Sequence, residues 1–167
     1  NPKSMTIDPD GNPIIVGFTR SPNLPMVNAI QDIFGGNQDL FIIKYRADCQ
    51  GIMFSTFWGG SGFEGSWGVT SDSTGRILVH GDTSSTDFDV ATTESFELGG
   101  SRDCFVTLFE NDGQSVNCSF IVGGDNVEYA SATAIDSDGN IYITGKTKSE
   151  NFPILNAHQS TQGDGYD

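Results

Sequence analysis

Apolar and polar residues alternate in short runs along this chain, and no stretch of helical length carries an apolar stripe at 3.6-residue spacing. In the run Ile141 to Thr144, the two isoleucines fall on one face and Tyr142 and Thr144 on the other. Clusters of Asp, Asn and Gly bound these runs, which is the pattern of strands joined by tight turns. "MTIDPDGNPIIVGFT" reads as strand, turn, strand, with Gly17 closing the second strand. "DLFIIKYRADCQGIMFSTFWGG" and "DCFVTLFENDGQSVNCSFIVGG" read as hairpins that turn at residues 48–51 and 112–114. The pattern predicts an all-β chain of antiparallel hairpins.

The runs repeat. A shift of 64 residues, without a gap, superimposes Asp8, Asp72 and Asp136, then Gly11, Gly75 and Gly139. It also superimposes Gly17, Gly81 and Gly145; Thr19, Thr83 and Thr147; Ser21, Ser85 and Ser149; Gly35, Gly99 and Gly163; and Asp39, Asp103 and Asp167. Where two copies exist, Gly59 and Gly60 match Gly123 and Gly124, and Glu64 matches Glu128. The aspartates at the first turn are placed to accept hydrogen bonds from turn amides, and the glycines three residues on supply positive φ without a Cβ clash. The longest irregular pieces join the two hairpins of a unit, residues 19–39, 83–103 and 147–167. Each carries one apolar residue in register, Leu24, Phe88 and Phe152, expected to dock its loop on its own unit. One short helical turn would fit in each.

Four antiparallel strands per unit, repeated with long loops on one side, are the grammar of β-propeller blades. The segment Ser55 to Gly62, STFWGGSG, and the pattern D-x-x-G-x-[IL]-x-[VI]-x-G from Asp72 and Asp136 resemble the SBBP-type propeller repeat of secreted and surface proteins. The resemblance implies that the strand leading into the turn aspartate is innermost, and that the strand ending in Gly-Gly is outermost. It also implies an extracellular or cell-surface location, and it brings no catalytic residues with it. Repeat units fall at residues 1–64, 65–128 and, truncated, 129–167. That is about 2.6 blades, whereas a closed ring takes roughly four to eight. An open arc or part of a larger propeller is expected. Further blades of the same protein, a homo-oligomer or filament, or a protein partner would then complete it.

With 22 acidic residues against 8 basic ones, the net charge of -14 repels phosphate backbones, so nucleic acid is not an expected partner. No apolar run is long enough to span a bilayer. Cys49, Cys104 and Cys118 have no metal-ligand spacing; Cys104 stands at the repeat position of Leu40 and Cys118 at that of Phe54, so both read as small buried apolar groups rather than a disulfide.

Candidate sites are few. Asp8 and Asp10, with Asp136 and Asp138, resemble the opening of a calcium loop, but no bidentate Glu follows at the right spacing and Thr74 breaks the pattern in the second copy. These turns are read as structural and no cofactor is expected, with calcium as the alternative. His80 and His158 lack a recurring nucleophile or a carboxylate at catalytic spacing. Trp58 and Trp67 read as packing between blades, and a carbohydrate platform is the alternative, which keeps glycan among the partner classes. Asn117-Cys118-Ser119 is a glycosylation acceptor motif. Gly59-Gly60 opens no helix and so cradles no phosphate. The sequence therefore predicts a non-catalytic extracellular module, a scaffold, adhesion or assembly unit whose long loops form the contact face. A sugar-binding propeller, or a lyase or hydrolase using Thr70, Asp72 or Asp136 at the channel mouth, is the alternative.

Overall fold

The structure, a computed structural model, describes residues 1–91, 98–163 and 165–167. Ten strands follow one another: β1 Pro2–Ile7, β2 Pro13–Thr19, β3 Asp39–Tyr45, β4 Ile52–Trp58, β5 Glu64–Ser71, β6 Ile77–Thr83, β7 Asp103–Phe109, β8 Val116–Val122, β9 Glu128–Ile135 and β10 Ile141–Thr147. They form two four-stranded sheets, β1-β2-β3-β4 and β5-β6-β7-β8, and a two-stranded sheet of β9 and β10, every pairing antiparallel. The sheets are β-propeller blades, and they stay open rather than closing into a ring. No helical turn interrupts the hairpin-joining loops among the described residues, unlike the one the sequence left room for.

Within a blade the order from inside out is the chain order, and neighbouring blades touch through β5 against β1, β2 and β3, and through β9 against β5, β6 and β7. Period-two alternation sends one set of side chains to each neighbour. Ile77 and Val79 of β6 join Ile14, Val16, Leu40, Ile42, Phe54 and Trp58 in the core between the first two blades. Leu78 between them points the other way, to Val106, Leu108, Ile135 and Ile141. The middle blade is therefore apolar on both faces, and β6 and β7 are buried along their whole length.

The strand predicted to close at Gly17 runs on to Thr19, and its equivalents run on to Thr83 and Thr147. The glycine is an interior position: a Cβ on Gly81 would lie 1.8 Å from the Gly65 carbonyl oxygen and 2.7 Å from the Phe105 ring. Its absence lets backbone and ring close over the strand.

The long loop of the first blade lies along the outer strand. Val27 bridges Ser55 of β4, the Phe57 amide donates to the Gln31 carbonyl at 3.1 Å, and the Gln31 amide donates to Thr56 Oγ1 at 2.9 Å. In the second blade the Ala91 amide donates to the Ser119 carbonyl of β8 at 2.9 Å. These stretches give the outer strands partners that would otherwise be sought from another molecule.

Candidate interaction surface at the blade junctions

Each junction between blades is fastened on the loop side by a carboxylate clasp. Glu64 opens β5 and is fully buried. Its Oε1 accepts from Thr83 Oγ1 at 2.8 Å and from Ser85 Oγ, and its Oε2 accepts from the Gly60 amide at 3.1 Å. Gly59 to Gly62 cross from β4 to β5 over the start of the next loop: the Gly62 amide donates to Ser85 Oγ at 2.8 Å, the Ser61 amide to Asp87 Oδ1 at 2.9 Å, and Ser84 donates its own amide to the Phe63 carbonyl at 3.0 Å. The second junction repeats this atom for atom. Glu128 accepts from Thr147 Oγ1 at 2.6 Å, Ser149 Oγ at 2.5 Å and the Gly124 amide at 3.1 Å. The Asn126 amide reaches Ser149 Oγ at 2.9 Å, the Asp125 amide reaches Asn151 Oδ1 at 2.9 Å, and the Lys148 amide reaches the Val127 carbonyl at 3.1 Å. The glycines are obligatory here, because a Cβ on Gly60 would meet Asp87 Oδ1 at 2.4 Å and one on Gly124 would meet the Ser149 side chain at the same distance.

A second carboxyl sits beside each clasp. Asp39 accepts from the Gly35 amide at 2.7 Å and the Gly36 amide at 3.3 Å, and Asp103 accepts from the Gly99 amide at 2.8 Å. Burial pushes Glu64 up to about 7 against its donors, with the neighbouring Asp39 adding to the rise, and burial also lifts Asp39. Asp103 is pushed up to about 6 by burial and by Glu128 beside it. For Glu128, burial pulls the same way but is outweighed by the Ser149 and Thr147 hydroxyls, the Gly124 amide and a hydrogen bond from Asp103, so it stays below its usual range. Each junction thus holds two carboxyl groups close enough that a proton on one favours charge on the other.

On the opposite side lie the turns. Asp8 accepts from the Asp10 and Asn12 amides at 3.0 and 2.8 Å, and its other oxygen meets Lys44 Nζ at 2.8 Å with both side chains buried. Lys44 also donates to the Asn111 carbonyl at 3.0 Å, tying the first blade to the second. Burial raises Asp8, but Lys44 and Asn12 overcome it and hold the carboxyl low. In the second blade Arg76 meets Asp72 at 2.6 Å, and in the third Asn140 and Tyr142 hydrogen-bond Asp136, holding it at about 2. Gly11, Gly75 and Gly139 have φ of 85°, 86° and 87°. Asp10 and Asp138 are exposed and give only their amides to the turn. Among the described residues, no group of three or more His, Cys, Asp or Glu is arranged to hold a metal ion.

The other candidates do not converge. His80 is buried between β6 and β9, its Nδ1 2.9 Å from Thr133 Oγ1 and its Nε2 unpartnered; burial lowers it, leaving a neutral ring. His158 is exposed in the third loop. Thr70 is half-buried on β5. Trp58 is buried in the first junction, edge-on to Phe88 and Phe109, with Nε1 donating to Thr107 Oγ1 at 3.2 Å. Trp67 departs from simple packing between blades: at 40% exposure it sits at a bulge of β5, hydrogen-bonded to Asp82 with Lys3 over its ring. Phe88 docks its loop on both blades rather than on its own alone, stacking against Phe105 at 4.8 Å and Trp58 at 6.2 Å between ring centres. Leu24 and Phe152 are half-buried. Cys104 and Cys118 are free and pair in register with Val122 and Leu108, and Cys49 is exposed. Asn117 is exposed on the outer strand β8.

Residues 122–153 match the family model of the SBBP β-propeller repeat. In this segment the chain is similar to an SBBP repeat. No curated protein matches the chain closely enough to count as a relative. The matched SBBP segment runs from the Gly-Gly crossing through Glu128, β9 and β10 to Thr147, Ser149 and Asn151. It therefore contains one whole clasp, both the carboxylate and the groups that hold it.

The 64-residue register aligns Glu64 with Glu128 and the Thr-x-Ser triplets with one another without joining them. The signal was there: an acidic residue recurring at a strand start, four residues after a glycine, with hydroxyls recurring at fixed distance. Lys44 escaped because the second copy has Leu108 in its place, yet Leu40, Ile42 and Lys44 alternate onto one buried face.

Proposed function

We propose that the chain is a non-catalytic protein-interaction module of the cell surface or extracellular space, serving scaffold or assembly. The observation that carries this reading is the contrast between its junctions and its ends. Between the first two blades, twelve buried side chains among the described residues seal the contact. On the far face of the first blade, Met5 and Ile7 are each 60% exposed, and Tyr142 is 56% exposed on the far face of the third. A flat apolar sheet face is a surface for a further blade or for another protein. The outer strands β4 and β8 are paired by their own loops, and the end faces offer a contact surface beside the loop side.

Sedimentation velocity over rising concentration tests the reading. Association is expected, and Met5→Glu with Ile7→Glu should weaken it about tenfold by placing charge in an apolar contact. A chain that stays monomeric throughout, or associates equally well with both charges present, would overturn the proposal. The partly exposed Trp67 favours glycan as the second reading, which predicts glycan-array binding lost in Trp67→Ala.

A further inference from the structure

Three positions of the middle blade break the repeat together. Trp67, Asp82 and Arg102 stand where the first blade has Lys3, Phe18 and Gln38 and the third has Ser131, Lys146 and Tyr166. In the fold the three meet. The Asp82 carboxylate is fully buried, with one oxygen accepting from Trp67 Nε1 and the other 2.9 Å from an Arg102 terminal nitrogen. Burying a carboxylate is costly, and neither other blade has one at this position, so blade architecture does not account for it. What Asp82 does is hold two groups at the surface. Trp67 is 40% exposed and the Arg102 side chain 36%, and the remaining guanidinium nitrogens have no partner among the described residues. The strand geometry presents the ring: Trp67 is the extra residue of a bulge between Ser66 and Gly68, and Lys3 occupies the matching bulge of β1. Lys3 Nζ lies 5.0 Å from the centre of the Phe18 ring and 5.4 Å from that of Trp67, and among the described residues it meets no carboxylate. On the turn side, by contrast, Lys44, Arg46 and Arg76 are each paired with an aspartate. β5 packs between β1 and β9, so this surface has its neighbours on both sides.

We propose that Trp67, Arg102 and Lys3 form a binding site for a glycan that carries uronic acid. The inference rests on the glycan reading of Trp67 and names the class of sugar. The exposed indole offers a flat apolar surface to the C–H face of a pyranose ring. Arg102, aimed by Asp82, offers a planar fork to a carboxylate, and Lys3 adds a second cation beside the indole. Asp82 is a positioning residue, since it lies behind both groups and is closed to solvent. An acidic peptide would answer the two cations, but a uronate answers the cations and the ring face together.

The test is a titration followed by NMR at the Trp67 indole N–H, using oligogalacturonate and the same oligosaccharide methyl-esterified at its carboxyl groups. The signal should shift and saturate with the acid, and esterification should weaken binding about tenfold by removing a charge-assisted hydrogen bond. Arg102→Lys keeps a cation against Asp82 but loses the fork, and should weaken binding of the acid about tenfold while leaving the ester unchanged. Lys3→Gln should act in the same direction. Arg46→Gln on the turn side should change neither. Because the ester arm uses the unsubstituted chain, a variant that folds poorly does not decide the outcome. Equal binding of acid and ester would overturn the uronate site and leave the glycan reading standing, whereas no binding of either sugar would end both. A glutamate-rich peptide that shifts the indole signal at the same concentrations as the acid sugar would also overturn the proposal, in favour of a peptide site.

Discussion

At the scale of single residues, Glu64 sets a pH dependence opposite to that of most carboxylates in folded proteins. Its ordinary value of 4.5 is raised to about 7, so the folded chain keeps a proton that the unfolded chain releases. Its contribution is fully present below about pH 4.5 and is lost as pH rises through 7. By the free-energy equivalent of a pKa unit, the loss is on the order of 3 kcal/mol. Asp103, raised to about 6, acts in the same direction. Asp8 and Asp72 are lowered, so what they contribute is lost as pH falls below the ordinary carboxylate value of 3.8. Stability should therefore peak on the acidic side of neutrality. Urea midpoints at pH 5 and pH 8 check this: the unsubstituted chain should be weaker at pH 8, and Glu64→Gln should remove most of the difference. Glu64 could be aligned from sequence, but its raised value could not be read there, because desolvation depends on what folds over it.

At the scale of elements, two features separate a blade from an isolated hairpin. The first is the aromatic cluster of the first junction, where Trp58 of β4 meets Phe88 of a loop and Phe109 of β7. Trp58→Ala leaves a cavity there and strips Thr107 of a donor, and should cost about 3–5 kcal/mol in chemical denaturation. The second is the loop strand over β4. The Val27 amide donates to Ser55 Oγ at 2.9 Å, and the Ser55 amide donates back to the Val27 carbonyl at 2.8 Å. Val27→Pro removes the first donor and distorts the second contact, opening the edge of β4. Faster aggregation is expected, read as light scattering at fixed concentration. The strands themselves were legible from period-two alternation. The loop's course was not, since it is set by which backbone groups of β4 lack a partner rather than by any pattern within residues 19–39.

At the scale of the whole molecule, stability should be graded along the arc rather than uniform. The middle blade has neighbours on both sides, and β6 and β7 are buried throughout. Among the described residues the third blade packs against the middle blade, and β10 is exposed over five of its seven residues. A groove of about 250 Å³ lined by Cys104, Val122, Tyr129, Ile143 and Phe152 lies beside it. In the first junction, the equivalent space is filled by Phe105 and Phe109 of the outer hairpin. Hydrogen exchange should be slowest in β6 and β7 and fastest in β10, by orders of magnitude. Equal protection across the blades would mean that the arc opens only as a unit.

The sequence alone determined the repeat, the strands and their turns, because alternation, turn aspartates and positive-φ glycines act over a few residues and each copy restates them. It also placed Glu64, Thr83 and Ser85 in register with their counterparts, without saying that they meet. Only the tertiary structure decided that meeting, since the carboxylate of one blade and the hydroxyls that hold it are some twenty residues apart and converge through sheet packing. The same holds for Lys44 and Asp8 and for the loop that guards β4. Local chemistry fixes what each strand is, and burial between strands distant in sequence fixes what its side chains do.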